Sequence, residues 1–167
     1  MSEQLSYGTY AAKAAELMAK NAFMTTSYGG KHNTMTIGWG TVGIVWQKPI
    51  FIALVRQSRF TKGLVEKSGE YTVTFPLADM KEALAFCGAN SGRDMDKLAA
   101  AKLSVKPGQA QGTPIIDIPG LQLECKVVYR QTMDPAALNA DYNAKMYPGG
   151  DYHTLYYGEI VAAYITK

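Results

Sequence analysis

Three short segments of this chain carry residue types that could hold a charged ligand. The first, Arg56-Gln57-Ser58-Arg59-Phe60-Thr61-Lys62, sets three cations and two hydroxyls at the start of a helix that the pattern predicts over 58–68. First turns of helices attract Asp or Glu, because the dipole and the unpaired N–H groups favour negative charge there. Here the first acid, Glu66, falls toward the other end. Either an external anion, most simply a phosphate, supplies the missing charge, or this is a Ser-capped surface helix with solvated Arg and Lys. The second segment runs from Cys87 to Lys97 (CGANSGRDMDK). Its glycines permit tight backbone, Asp94 can cap a helix, and Arg93 and Lys97 could both reach an anion. Alone it reads as a capping loop; two such segments in one small chain strengthen the anion reading. The third, Asn33-Thr34-Met35-Thr36-Ile37-Gly38-Trp39, is a strand pattern. Alternation sends Asn33, Met35, Ile37 and Trp39 to one side and Thr34, Thr36 and Gly38 to the other. That mixture suits a planar ring with a polar edge, and it equally describes a strand with a core Trp.

Other chemistries find less support. Gly38-Trp39-Gly40-Thr41-Val42-Gly43 matches G-x-G-x-x-G by letter. A dinucleotide fingerprint must open a helix and be followed by an acid about 20 residues on. Ile44-Val45-Trp46 instead continues a β-type run, and no acid stands between Arg56 and Leu64. No G-x-S-x-G is present, and His32 and His153 are the only histidines. Two cysteines, Cys87 and Cys125, form no CxxC, so neither a zinc site nor a catalytic thiol is expected.

The elements that must position these groups follow from periodicity. A helix is expected over 9–20 with Thr9 as N-cap, then a strand over 22–28 closed by Gly29-Gly30. Residues 34–46 read as one bent strand broken by Pro49, and 50–55 as its continuation. Strands are expected at 70–75 and 121–130, the second cleanly alternating, and at 153–166, apolar on both faces and therefore central or at an interface. Helices are predicted from Asp79 to Gly88 and from Asp94 to about Lys102, with 104–120 mainly loop. Separated strands without regular βα alternation argue for a mainly β, α+β fold. Glycines 38, 40 and 43 favour a curled or closed barrel. A length of 167 residues fits a single domain over 1–167, and a charge of +3 spread along the chain suits a small anion rather than nucleic acid. Mean hydropathy of −0.11 and the absence of a long apolar run predict no membrane span. With no basic-then-apolar start and two free thiols, a cytoplasmic location is expected.

Taken together, NTMTIGW (33–39), RQSRFT (56–61), EYTVTFP (70–76), CGANSGRDMDK (87–97) and HTLYYGEI (153–160) resemble the flavin reductase-like family, specifically its flavoredoxin-type branch. The resemblance covers about the whole chain. It implies a six-stranded Greek-key split β-barrel with peripheral helices, a homodimer, and FMN as cofactor. It places Asn33, Met35, Thr36 and Trp39 around the flavin, and Ser58, Arg59 and Thr61 at the phosphate with Arg56 close by. Arg93 and Lys97 would join from the second segment, and His153 would approach the ring from the last strand. The function implied is an oxidoreductase passing electrons from NADH or NADPH through FMN. Two alternatives stay open: a flavoredoxin-type carrier serving a redox-partner protein, and a flavin- or haem-binding module without turnover. The loop 133–150 is expected to cover one face of the ring.

Overall fold

The computed structural model describes residues 3–167. Strand β1 (Glu3–Gln4) leads to helix α1 (Tyr7–Met18), which buries Tyr10, Ala14, Leu17 and Met18 on one face. The helix starts before the expected cap: Ser6 is the extended N-cap residue, and its hydroxyl meets that of Thr9 at 2.9 Å. Strands β2 (Ala22–Tyr28) and β3 (Lys31–Ile37) form a hairpin whose two turn residues, Gly29 and Gly30, lie at φ 59° and 77°. A two-residue hairpin needs this left-handed pair, which glycine adopts without steric penalty.

The predicted single strand 34–46 is divided. Strand β4 (Gly40–Val45) pairs with β5 (Lys48–Arg56) through a turn at Trp46-Gln47, and Pro49 lies inside β5 opposite Ile44. The turn, not the proline, reverses the chain. The neighbour on the other side of β5 pairs only as far as Ile50, so Pro49 sits beyond the end of that ladder.

Helix α2 (Phe60–Ser68) begins two residues later than predicted, with Arg59 as its N-cap, and stops at Gly69 (φ 69°). Strand β6 (Glu70–Pro76) follows, then helix α3 (Lys81–Ala89) and helix α4 (Lys97–Ala100). Asp96, not Asp94, caps α4, accepting from Leu98 and Ala99 N–H. The predicted loop 104–120 contains a small ladder of β7 (Val105–Lys106) with β8 (Ile115–Ile116). Strand β9 (Gly120–Thr132), a 3-10 turn at Pro135–Ala137, helix α5 (Ala140–Met146) and strand β10 (His153–Thr166) complete the chain.

The main sheet is antiparallel in the order β3-β2-β6-β9-β10-β5-β4, with β1 added to β10. Its edges, β3 and β4, are consecutive in the chain and joined only through Gly38-Trp39. Three Cα steps span at most about 11 Å, so the sheet must curl until its two edges nearly meet. That is a split barrel. Among the described residues it holds eight strands where the resemblance implied six, because 34–46 divides and β1 adds an edge. β10 is central, as its doubly apolar pattern indicated.

The core fills the curl. Tyr71 of β6 is fully buried, and its hydroxyl lies 2.7 Å from the carbonyl of Phe51 and 3.2 Å from that of Tyr156. The first half of β9 is buried on both faces: Gln122 and Glu124, which alternate with its apolar residues, are buried too. The 104–119 segment lies over them. Gln122 accepts from Thr74 Oγ1 at 2.6 Å, and Glu124 accepts from the N–H groups of Gln109, Ala110 and Gln111 and from the Tyr164 hydroxyl.

Candidate cofactor site

Asn33 and Met35 point inward from β3, and Asn33 Nδ2 donates to Thr61 Oγ1 at 2.8 Å. That bond leaves the Thr61 hydroxyl proton free to serve a ligand. Thr36 takes the opposite face, where its hydroxyl donates to the Leu84 carbonyl of α3 at 2.6 Å. Thr36 is thus committed to packing α3 and does not line the cavity described next.

Met35, Ser58, Arg59, Thr61, Arg93 and Lys97, with residues 89–92, line a cavity of about 120 Å³. The three cations reach it by holding main-chain carbonyls. Arg59 donates to Gly88 O at 2.7 Å, Arg93 to Ser58 O at 2.9 Å and Lys97 to Cys87 O at 3.1 Å. No carboxylate belongs to the lining. Lys97 is only 4% exposed, and burial, reinforced by the Arg59 charge and opposed by Cys87, brings its pKa down to about 8. A buried ammonium without a counter-ion is unfavourable until an anion arrives. Gly92 forms part of the wall, and a methyl there would run into Asn33 and the Phe60 ring. The backbone must therefore approach closely at this point.

The acid missing from 56–64 is supplied from 93 positions away: Ser58 N–H and Oγ donate to the Asp151 carboxylate at 2.9 and 2.7 Å. Burial raises the Asp151 pKa, but the two Ser58 bonds and the Arg56 charge outweigh it and hold the carboxyl below its ordinary value. Nothing local in the sequence marks this contact.

The remaining nominated residues gather at a second cluster. Trp39 lies in the β3–β4 link, 41% exposed, with its ring 5.0 Å from that of His153. His153 Nδ1 shares a 2.7 Å hydrogen bond with the Tyr147 hydroxyl. Arg56 lies over the Tyr147 ring at 5.0 Å and donates to Met146 O and Asp151 O. Burial, with the Arg56 charge, lowers the His153 pKa to about 4, so the imidazole is neutral at pH 7. Tyr147, at the C-terminal end of α5, lies in a stretch whose sequence reads only as loop and carries no local signal of this contact. Arg56 and Asp151 join the two clusters, touching Tyr147 on one side and Ser58 on the other. Among the described residues no helix is long and apolar enough to cross a membrane.

The fold is a split β-barrel, and beside its β3 edge lies a three-cation pocket whose one adjoining carboxylate, Asp151, is held by Ser58. Residues 15–167 match the flavin reductase like domain model. The chain therefore belongs to that family. A flavoredoxin from Methanosarcina acetivorans superposes with a TM-score of 0.68 at 26% identity, over 88% of this chain and 68% of that one. An FMN-binding domain of a flavin reductases-like enzyme from Shewanella baltica shares the fold, with a TM-score of 0.71 at 17% identity over 99% of this chain and 77% of the other. An uncharacterized protein of Archaeoglobus fulgidus is 27% identical over 131 residues, 78% of this chain and 64% of its own length.

Proposed function

We propose that this chain binds one FMN and passes electrons from NADH or NADPH through it, as a flavin reductase-like oxidoreductase. The observation that carries the reading is the convergence of Arg59, Arg93 and Lys97 on a cavity without a carboxylate. A phosphate fits this chemistry: its charge answers the buried ammonium, and Thr61 has a hydroxyl proton to donate. In this reading Lys97, Arg59, Arg93, Thr61 and Ser58 take the phosphate. Asn33, Met35, Trp39 and His153 frame the ring, and Arg56 stands between the two ends. Bound FMN supplies the reversible electron uptake. The chain's own residues anchor it, limit water, and keep the imidazole beside Trp39 uncharged at neutral pH.

The reading extends to assembly and location. Trp46, Tyr129 and Tyr157 pack together at the barrel surface, with Trp46 59% and Tyr129 44% exposed and Ile44 and Val128 also exposed. An aromatic patch of this kind supports pairing of two copies into a homodimer. Two buried free thiols fit a cytoplasmic setting.

The test of turnover is anaerobic. NADH or NADPH added to FMN-loaded protein is expected to bleach the visible flavin absorbance within minutes, and light scattering on the same sample to report twice the chain mass. Bleaching by dithionite but by neither nucleotide would sink the reductase reading and leave a carrier fed by a redox-partner protein.

A further inference from the structure

The Ser58 hydroxyl has one proton and its N–H another, and both go to Asp151. Ser58 also lines the three-cation cavity. A phosphate drawing on these donors must take them from a carboxylate already in place, since one proton cannot serve both anions at full strength. Asp151 is held there by unusual means. Its backbone lies at φ 53° and that of Gly150 at 77°, two consecutive left-handed residues of which only one is glycine. Arg56 fixes the Asp151 carbonyl, and Gly150 N–H closes on Tyr147 O at 3.0 Å. The same turn carries Tyr147, which packs on His153 and Trp39 at the proposed ring end. One short segment thus touches both ends of the site.

Resting on the FMN reading above, we propose that Asp151 is a built-in competing anion. Its carboxylate latches the 147–152 turn onto Ser58 and is displaced when the FMN phosphate enters. Displacement relieves the left-handed strain at Asp151 and frees the turn that bears Tyr147. Phosphate binding at one end thereby loosens the cover at the other. The latched state also lowers apparent FMN affinity in proportion to its population.

Two measurements test the latch, with FMN and riboflavin as probes. Asp151→Asn keeps a residue that tolerates φ near 53° while removing the charge. It is expected to bind FMN about 10-fold more tightly, as for a free protein unlatched about a tenth of the time, and to change less for riboflavin, which has no phosphate to compete with Asp151. In the parent protein, saturating FMN is expected to speed hydrogen exchange at the Gly150 amide. An Asp151→Asn affinity for FMN no tighter than the parent's, or Gly150 exchange slowed or unchanged by bound FMN, overturns the latch while leaving FMN binding intact. Absence of FMN binding to the parent overturns both the cofactor reading and the latch.

Discussion

Replacing Lys97 by Met is expected to weaken FMN binding about 10- to 150-fold, the span of one charge-assisted hydrogen bond of about 1.5–3 kcal/mol. The substitution keeps the stem volume at a site only 4% exposed and removes a charge that burial already disfavours. The folded protein should lose little stability, because removing the buried charge offsets the lost bond to Cys87 O, and urea unfolding of the free variant checks this. Riboflavin affinity should not change, because the ammonium faces the phosphate cavity rather than the Trp39 cluster. Adding Thr61→Val removes a second donor, and the pair should together weaken FMN about 30- to 1,000-fold (about 2–4 kcal/mol). Equal losses for FMN and riboflavin in fluorescence titrations would mean that Lys97 acts through the fold.

The second large effect lies in the barrel core. Gly158 of β10 sits at a register shift opposite β9, between Tyr157 and Gly158. A methyl added there would fall on the Tyr71 hydroxyl and lie 2.7 Å from Tyr71 Cζ and from Cys125 Cβ. Neither can yield cheaply: Tyr71 and Cys125 are fully buried, and the Tyr71 hydroxyl is tied to two backbone carbonyls. Gly158→Ala is therefore expected to destabilise the chain by about 3 kcal/mol, the upper range for overpacking. The thermal midpoint should fall by about 10 °C. A loss under about 1 kcal/mol would show that the bulge relaxes to admit a side chain.

What the sequence made legible, and what it hid, divides along chain distance. Strands β2, β6 and β10 were readable because β-branched and aromatic residues run between clear breakers, as at Gly29-Gly30 and Gly69. The cations Arg59, Arg93 and Lys97 were readable because each lies in a segment odd by its own composition, and the structure brings all three to one cavity. Contacts between distant segments were not. Ser58 and Asp151 are 93 residues apart, and the acid-free helix start looked emptier than it is. Gln122 and Glu124 looked solvent-facing because polar residues on an alternating strand normally are; the 104–119 segment that buries them looked like loop. The resemblance places Thr36 near the ring, and nothing in the sequence signals that its hydroxyl donates to the Leu84 carbonyl of α3. Helix starts moved by two residues wherever the expected capping hydroxyl found another partner, as Thr9 did with Ser6 and Ser58 with Asp151.

The central claim is that FMN is held by its phosphate in the Arg59–Arg93–Lys97 cavity, and titrating FMN and riboflavin into the unmodified protein from pH 7 to 9.5 tests it most directly. Binding a phosphate favours the charged form of Lys97, whose pKa in the free protein is lowered to about 8. Below that pH the ammonium is already present; above it, binding must take up a proton, so FMN affinity falls as pH rises. The account predicts FMN binding about 100-fold tighter than riboflavin at pH 7. It also predicts a gap that narrows by up to about tenfold per pH unit above pH 8. FMN and riboflavin binding equally at pH 7, or a gap that does not change with pH, would contradict it.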